Sequence, residues 1–373
     1  MTSPPRSSRR YKWIVASVSF LVAIALSEAL LRVALFHTPV TLAAKDPQYY
    51  ARTLDEYWIY HHLFASDRRW TVAAGGAVAS GESPVEFYRK WPTSLAPDAE
   101  QGYARKPGVK TPCHETTNLA TRGTRDYAME GRRIVFLGDS FVESAACSND
   151  TLTTKVEKLT GIDTLNYGVG GYGVDQVFLT FRRVLPGCDR KDCLFLIGLI
   201  RDDFDRLLLR VRTSPKPYFT ISDDRLVLHT DHIHPDALND FYRRPPERFY
   251  LYYFLRGRLG FPVYASMLTA TRDERRNATL ALSRLIFAEM AERMREGRFR
   301  LALVIFPTPW DPFDKELLAL LRAQGIPVVD LQDCLGGKAG PELYAESHPT
   351  SLANSRLAEC LVGDLASLGL LPR

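Results

Sequence analysis

The chain has 373 residues, of which 46% are hydrophobic and 24% charged, an ordinary globular balance with room for one large or two small domains. The formal net charge is +5, and part of it is the terminal cluster Arg6, Arg9, Arg10 and Lys12. Beyond residue 40 the basic residues are interleaved with acids, which excludes the basic patch of a nucleic-acid binder.

Residues 1–12 read as a short polar tail. Residues 13–36 follow as an apolar stretch interrupted only by Glu28 and Arg32, which stand four apart and share a helix face. As a helix this stretch is about 36 Å long, enough to cross a bilayer core of about 30 Å. The four basic residues before Trp13 predict a cytoplasmic N-terminus, with the rest of the chain outside the inner membrane. A signal peptide cleaved near Ala25-Leu-Ser27 is the alternative to a retained anchor. Two charges in such a helix suit an interface or a membrane-protein partner.

Residues 37–130 show no strong period and read as a stalk and lead-in segment. From 131 to 373 strands and helices alternate. Strands are expected at Ile134–Leu137, Asp163–Asn166, Leu194–Ile200, Leu301–Phe306 and Pro327–Leu331. Helices are expected at Thr151–Leu159, Val174–Val184, Leu280–Glu296, Phe313–Ala323 and Ser351–Leu368. This alternation predicts an α/β fold of three layers, helix–sheet–helix, around a mostly parallel five-stranded sheet. An insertion at about residues 206–276 reads as a β-hairpin turning at Ser222-Asp-Asp224, plus a helix lying over the site.

Six cysteines agree with an oxidising compartment and allow fifteen pairings. Position along the chain favours Cys113–Cys147, Cys188–Cys193 and Cys334–Cys360. Their spacing fits no zinc site. The run Asp231-His-Ile-His234 reads as solvated polar residues, and no metal or cofactor is expected.

Chemistry concentrates at four places. Ile134–Leu137 ends at Gly138-Asp139-Ser140, a strand delivering a serine to a sheet edge. A second strand end opens into Asn166-Tyr-Gly168-Val-Gly-Gly171. A third ends at Arg201-Asp202-Asp203. Near the C-terminus stands Glu346-Ser-His348-Pro, just before a helix. All four lie at the ends of expected strands or in a final loop, where parallel sheets bind ligands.

In order and content these blocks resemble the SGNH (GDSL-type) hydrolase superfamily, whose sheet is flavodoxin-like. The resemblance spans about residues 130–373. Upstream, Pro97-Asp98, Gly102-Tyr103, Lys106-Pro107, Asn118 and Arg122-Gly123 look like the lead-in of its membrane-anchored bacterial branch.

The resemblance implies an acyl-ester reaction with Ser140 as nucleophile, His348 as base and Glu346 as its orienter. Imidazole, with an ordinary pKa of about 6.5, suits that shuttling. The backbone N–H groups of Ser140 and Gly171 would bind the oxyanion, with Asp202 standing where the family has an Asn donor. An ionised Asp only accepts hydrogen bonds. Protonation of Asp202, neutralisation by Arg201, or a shifted loop would each relieve that conflict. The expectation is an anchored, periplasm-facing esterase or O-acyltransferase acting on acetyl or other acyl esters of a carbohydrate. The alternative, motivated by Asp202, is an SGNH-fold binding or assembly subunit of an envelope complex.

Overall fold

The structure is a computed structural model. It describes residues 6–37, 94–128, 131–188, 192–208, 216–231, 233, 251, 272–297, 299–308, 313–337, 340–345 and 348–371. The chain divides into two compact units, one of residues 1–87 with 236–270, the other of residues 88–235 with 271–373.

In the first unit, α1 (Arg6–His37) contains Tyr11–Leu30, a 20-residue span long and apolar enough to cross a membrane. A signal sequence would share that length and composition. Trp13, Phe20 and Leu21 are exposed on it. Glu28 accepts a hydrogen bond from the Leu251 N–H at 2.8 Å.

The second unit opens with a hairpin, β1 (Leu95–Asp98) and β2 (Gly102–Arg105). Sequence period had not marked these strands. Asp98 accepts from the Glu100 and Gln101 N–H groups and closes the turn. Then come β3 (Arg133–Leu137), α2 (Ser140–Glu143), α3 (Leu152–Thr160), β4 (Asp163–Asn166), α4 (Val174–Val184), β5 (Cys193–Leu199) and α5 (Arg201–Asp205). After the hairpin β6 (Tyr218–Ser222) and β7 (Arg225–His229) follow α6 (Arg272–Gly297), β8 (Arg300–Ile305), α7 (Lys315–Ala323) and β9 (Val328–Asp330). The short pair β10 (Tyr344–Ala345) and β11 (His348–Pro349) precedes α8 (Ser351–Ser367).

The central sheet has the order β4-β3-β5-β8-β9, and every pair is parallel. Its strands are apolar on both faces, as burial between two helix layers requires. On β3, Val135 and Leu137 face one core with Phe178 of α4, Phe287 of α6 and Leu321 of α7. Ile134 and Phe136 face the other, with Val156 of α3 and Leu361 of α8. From β3 the chain steps out to β4 and returns to β5 on the opposite side. The carboxyl ends of β3 and β5 therefore form the switch point where such sheets open a crevice.

The β6–β7 turn lies where the sequence placed it, with Asp223 and Asp224 both at positive φ (50° and 57°), as a two-residue hairpin turn demands. The helix expected over the site from the insertion lies outside the described residues. Helix α6 starts at Arg272, ahead of the expected Leu280.

Two of the three expected disulfides are present, Cys113–Cys147 and Cys334–Cys360. The third is corrected: Cys188 and Cys193 carry no disulfide. Cys193 is fixed by the β5 ladder opposite Arg133, and Cys188 by a one-turn 3-10 helix. The contact with Cys193, followed by burial, pushes the Cys188 thiol well above its ordinary range.

Candidate active site

The end of β3 delivers Asp139 and Ser140 to the crevice. Asp139 is almost fully buried and caps α2, with Oδ1 accepting the Phe141 N–H at 2.8 Å. Ser140 is the first residue of this helix, so its N–H belongs to the orphan donors of a helix start. Its Oγ lies 2.8 Å from His348 Nε2 and 3.2 Å from Asp139 Oδ2.

His348 comes from β11, paired with Ala345 of β10. Its ring packs against Phe141 at 5.3 Å between centroids, which limits its swing. A hydroxyl in hydrogen-bond reach of an imidazole is the arrangement that activates an alcohol for attack. Ser140 and His348 are thus brought together across 208 residues. Glu346, the expected orienter, lies outside the described residues.

The loop after β4 supplies the facing wall. Asn166 is fully buried and works as a strut. Its Nδ2 donates to Val142 O at 2.8 Å and Thr153 Oγ1 at 3.0 Å, and its Oδ1 accepts the Gly168 N–H at 2.9 Å. The Asn166 loop is thereby tied to α2. Gly171 sits at φ +81°, a left-handed backbone that glycine adopts without steric cost.

After β5, Asp202 and Asp203 separate in role. The Asp203 side chain is fully buried, with Oδ2 accepting the Ile200 N–H at 3.0 Å. Burial, then the Asp139 charge, pushes its carboxyl well above the usual carboxylate range. The Asp202 side chain is 62% exposed, and its Oδ2 lies 3.6 Å from Arg206 Nη2. Burial next to Asp203 therefore does not apply to Asp202. Arg201 does not neutralise it either, because Arg201 pairs with Asp205 at 2.7 Å.

Sequence reading missed the residue that does pair with Asp202. Arg206 is buried, and its Nη1 donates to Asp139 Oδ2 at 2.9 Å, Asp203 Oδ1 at 2.8 Å and Tyr172 O at 3.0 Å. Burial alone would lower its pKa, but the surrounding Asp203, Asp139 and Asp202 carboxylates raise it above the ordinary value. Its i,i+3 and i,i+4 spacing from Asp203 and Asp202 on a helical pattern was the available signal.

Arg122, from the lead-in, braces the far end of α2. Nη1 donates to Glu143 O at 2.9 Å and to Ser144 O, and Nη2 donates to Ala146 O at 2.5 Å and Cys113 O at 3.2 Å. Burial lowers its pKa to about 10. Ser144 stands at φ 72°, a strained backbone for a non-glycine residue, which these contacts hold in place. Among the described residues no group of three or more His, Cys, Asp or Glu side chains could hold a metal ion.

No protein-family model matches the chain, and no curated protein matches it. It is similar to a solved lipase/acylhydrolase from Enterococcus faecalis at 14% identity, over 65% of this chain and 98% of that one, with a TM-score of 0.36. It is similar to a member of the lipolytic G-D-S-L family from Veillonella parvula at 10% identity, over 63% and 99%, with a TM-score of 0.36. A two-domain esterase active on acetylated mannans is similar at 12% identity, over 64% of this chain and 50% of that one, with a TM-score of 0.35. The solved structures similar to this chain thus include GDSL-type (SGNH) lipolytic hydrolases, while the chemistry of the site stands on its own geometry.

Proposed function

We propose that this chain is an SGNH-type serine esterase or O-acyltransferase acting on acyl esters, acetyl above all, of a carbohydrate. The observation that carries the proposal is the 2.8 Å contact between Ser140 Oγ and His348 Nε2 at the switch point of the sheet. The sugar-ester substrate class is the one implied by the motif resemblance.

In this mechanism Ser140 Oγ attacks the acyl carbonyl carbon while His348 Nε2 takes the hydroxyl proton. The carbonyl π-pair moves onto oxygen, and the Ser140 and Gly171 N–H groups receive that oxyanion. Collapse breaks the ester C–O bond, and His348 returns the proton to the leaving hydroxyl. Water then gives hydrolysis of the acyl-serine, and a sugar hydroxyl gives transfer. Glu346 would hold the imidazole and stabilise its charged form.

Helix α1 would anchor the chain in the inner membrane, with the tail in the cytoplasm and the second unit in the periplasm. The Cys113–Cys147 and Cys334–Cys360 disulfides support an oxidising compartment.

The second reading is a binding or assembly subunit with a disabled oxyanion hole, and Asp202 is its feature. The exposure of that carboxylate and its Arg206 partner favour the enzyme instead. The test is hydrolysis of a small activated acetyl ester by the full chain in detergent. Turnover that disappears in both Ser140→Ala and His348→Ala is expected. An inert wild type that gains turnover on Asp202→Asn would install the second reading.

A further inference from the structure

The peptide joining Gly170 to Gly171 is held from the lead-in hairpin. The Gly170 carbonyl accepts a hydrogen bond from Tyr103 Oη at 3.0 Å, and the Gly170 N–H, on the preceding peptide, donates to Glu143 Oε2 at 2.5 Å, so both peptides flanking the Gly170 Cα are held. Arg105, two residues beyond Tyr103 and so on the same face of β2, donates through Nη2 to Glu143 Oε1 at 3.0 Å and to Gly168 O. Tyr103 also packs edge-on against Tyr172 at 5.3 Å. A Cβ built on Gly170 would lie 2.9 Å from Glu143 Oε2 and 3.8 Å from Ser140 Cβ, so this peptide borders the serine.

A trans peptide is planar, so the Gly170 C=O and the Gly171 N–H point in opposite directions. Whatever fixes the carbonyl also fixes the amide. The flanking residues are both glycine, and no Cβ resists rotation of the plane between them. Rotation by half a turn would replace the Gly171 N–H with a carbonyl oxygen, an acceptor that opposes an oxyanion.

We propose that Tyr103 and Glu143 are positioning residues, Tyr103 locking this peptide and Glu143 the one before it, so that the Gly171 N–H faces the oxyanion. The inference rests on Ser140 being the nucleophile. Tyr103 has a second effect, since a donor on the Gly170 carbonyl polarises the peptide and strengthens its N–H as a donor. The lead-in hairpin is then part of the catalytic apparatus, through the Tyr103 bond to Gly170 and the Arg105 bond to Glu143. The short Gly-Tyr-Ala-Arg strand supplies both Tyr103 and Arg105, the residue that holds the Glu143 carboxylate.

The experiment uses the full chain in detergent with an activated acetyl ester. It compares wild type, Tyr103→Phe, Glu143→Ala, Glu143→Gln and Ser140→Ala, with hydrogen exchange of segment 168–173 measured alongside. Tyr103→Phe keeps the ring and removes only the hydroxyl. It is expected to lower kcat about tenfold, below the cost of deleting an oxyanion donor outright. KM should stay within about twofold, as for an interaction made mainly in the transition state. Exchange of segment 168–173 should rise while the melting temperature holds. Glu143→Gln, whose amide oxygen still accepts, should recover most of what Glu143→Ala loses.

An unchanged kcat in Tyr103→Phe would overturn the proposal. So would a loss of kcat that only follows a fall in melting temperature. Turnover that survives in Ser140→Ala would refute the nucleophile assignment instead, and the exchange measurement would still decide whether Tyr103 holds the loop.

Discussion

Arg206 joins Asp139, the neighbour of Ser140, to Asp202, with Nη1 2.9 Å from Asp139 Oδ2 and Nη2 3.6 Å from Asp202 Oδ2. One guanidinium thus holds the cap of α2 and offsets the Asp202 charge. The Asp202 carboxylate is largely in solvent, where a charge acts across a high dielectric. Asp202→Asn is therefore expected to change kcat by less than about threefold, far below the 10²–10³ attached to an oxyanion donor. A gain of tenfold or more in steady-state turnover would show that the carboxylate opposes the reaction.

Removing Arg206 is a different matter. Arg206→Met would leave Asp139 and Asp203 buried without their cation. Breaking a buried pair from one side costs about 3–5 kcal/mol. Urea unfolding of the variant against wild type measures this, with the midpoint falling and the slope unchanged. Loss of activity at unchanged stability would contradict the structural half of the role.

His114 gives a pH dependence with a definite sign. Its Nε2 lies 2.9 Å from Arg105 Nη1, and a guanidinium only donates, so that nitrogen carries no proton. Burial, then the Arg122 and Arg105 charges, lowers its pKa to about 4, against the opposing pull of Glu143. The folded state therefore favours neutral His114. The resulting stability is present above the unfolded value of about 6.5 and is lost as pH falls towards 4. His114→Gln should flatten this acid limb in thermal melts between pH 7 and pH 4. Parallel curves for variant and wild type would contradict the assignment.

The cysteines make two further predictions. Cys113 and Cys147 are 34 residues apart, and a closed loop of that size corresponds to about 3–4 kcal/mol. Their replacement by serine should lower unfolding stability by that order. Cys188 and Cys193 carry no disulfide, so denatured, unreduced protein should take up alkylating reagent at these two positions. Full protection of both would restore the third bridge.

Strands of the central sheet were legible because strands buried on both faces are continuous apolar runs. Asp163–Asn166 and Val174–Val184 match expectation residue for residue. The β1–β2 hairpin was not legible, since four-residue strands containing Pro97 carry no usable period. Its stability is tertiary, through Asp98 to Arg183 at 2.9 Å and Tyr103 to Gly170. At the site, Ser140, Asn166, Gly171 and His348 could be read from the order of short motifs. Glu143 and Arg206 could not, and Arg122 only as a lead-in motif residue without its role, because the partners that give them meaning lie mostly far away in sequence or on the backbone. Arg206 and Asp139 are 67 residues apart. A charge on a helix usually reads as a solvated face, and only the fold turns these inward.

The central claim is that Ser140 carries the acyl group. The most direct measurement is peptide mass spectrometry of the full chain quenched shortly after mixing with an activated acetyl ester. One acetyl group on the Ser140 peptide of the wild type, absent from Ser140→Ala, is the predicted result. Turnover with no acetyl on that peptide, or the same labelling in Ser140→Ala, would contradict it.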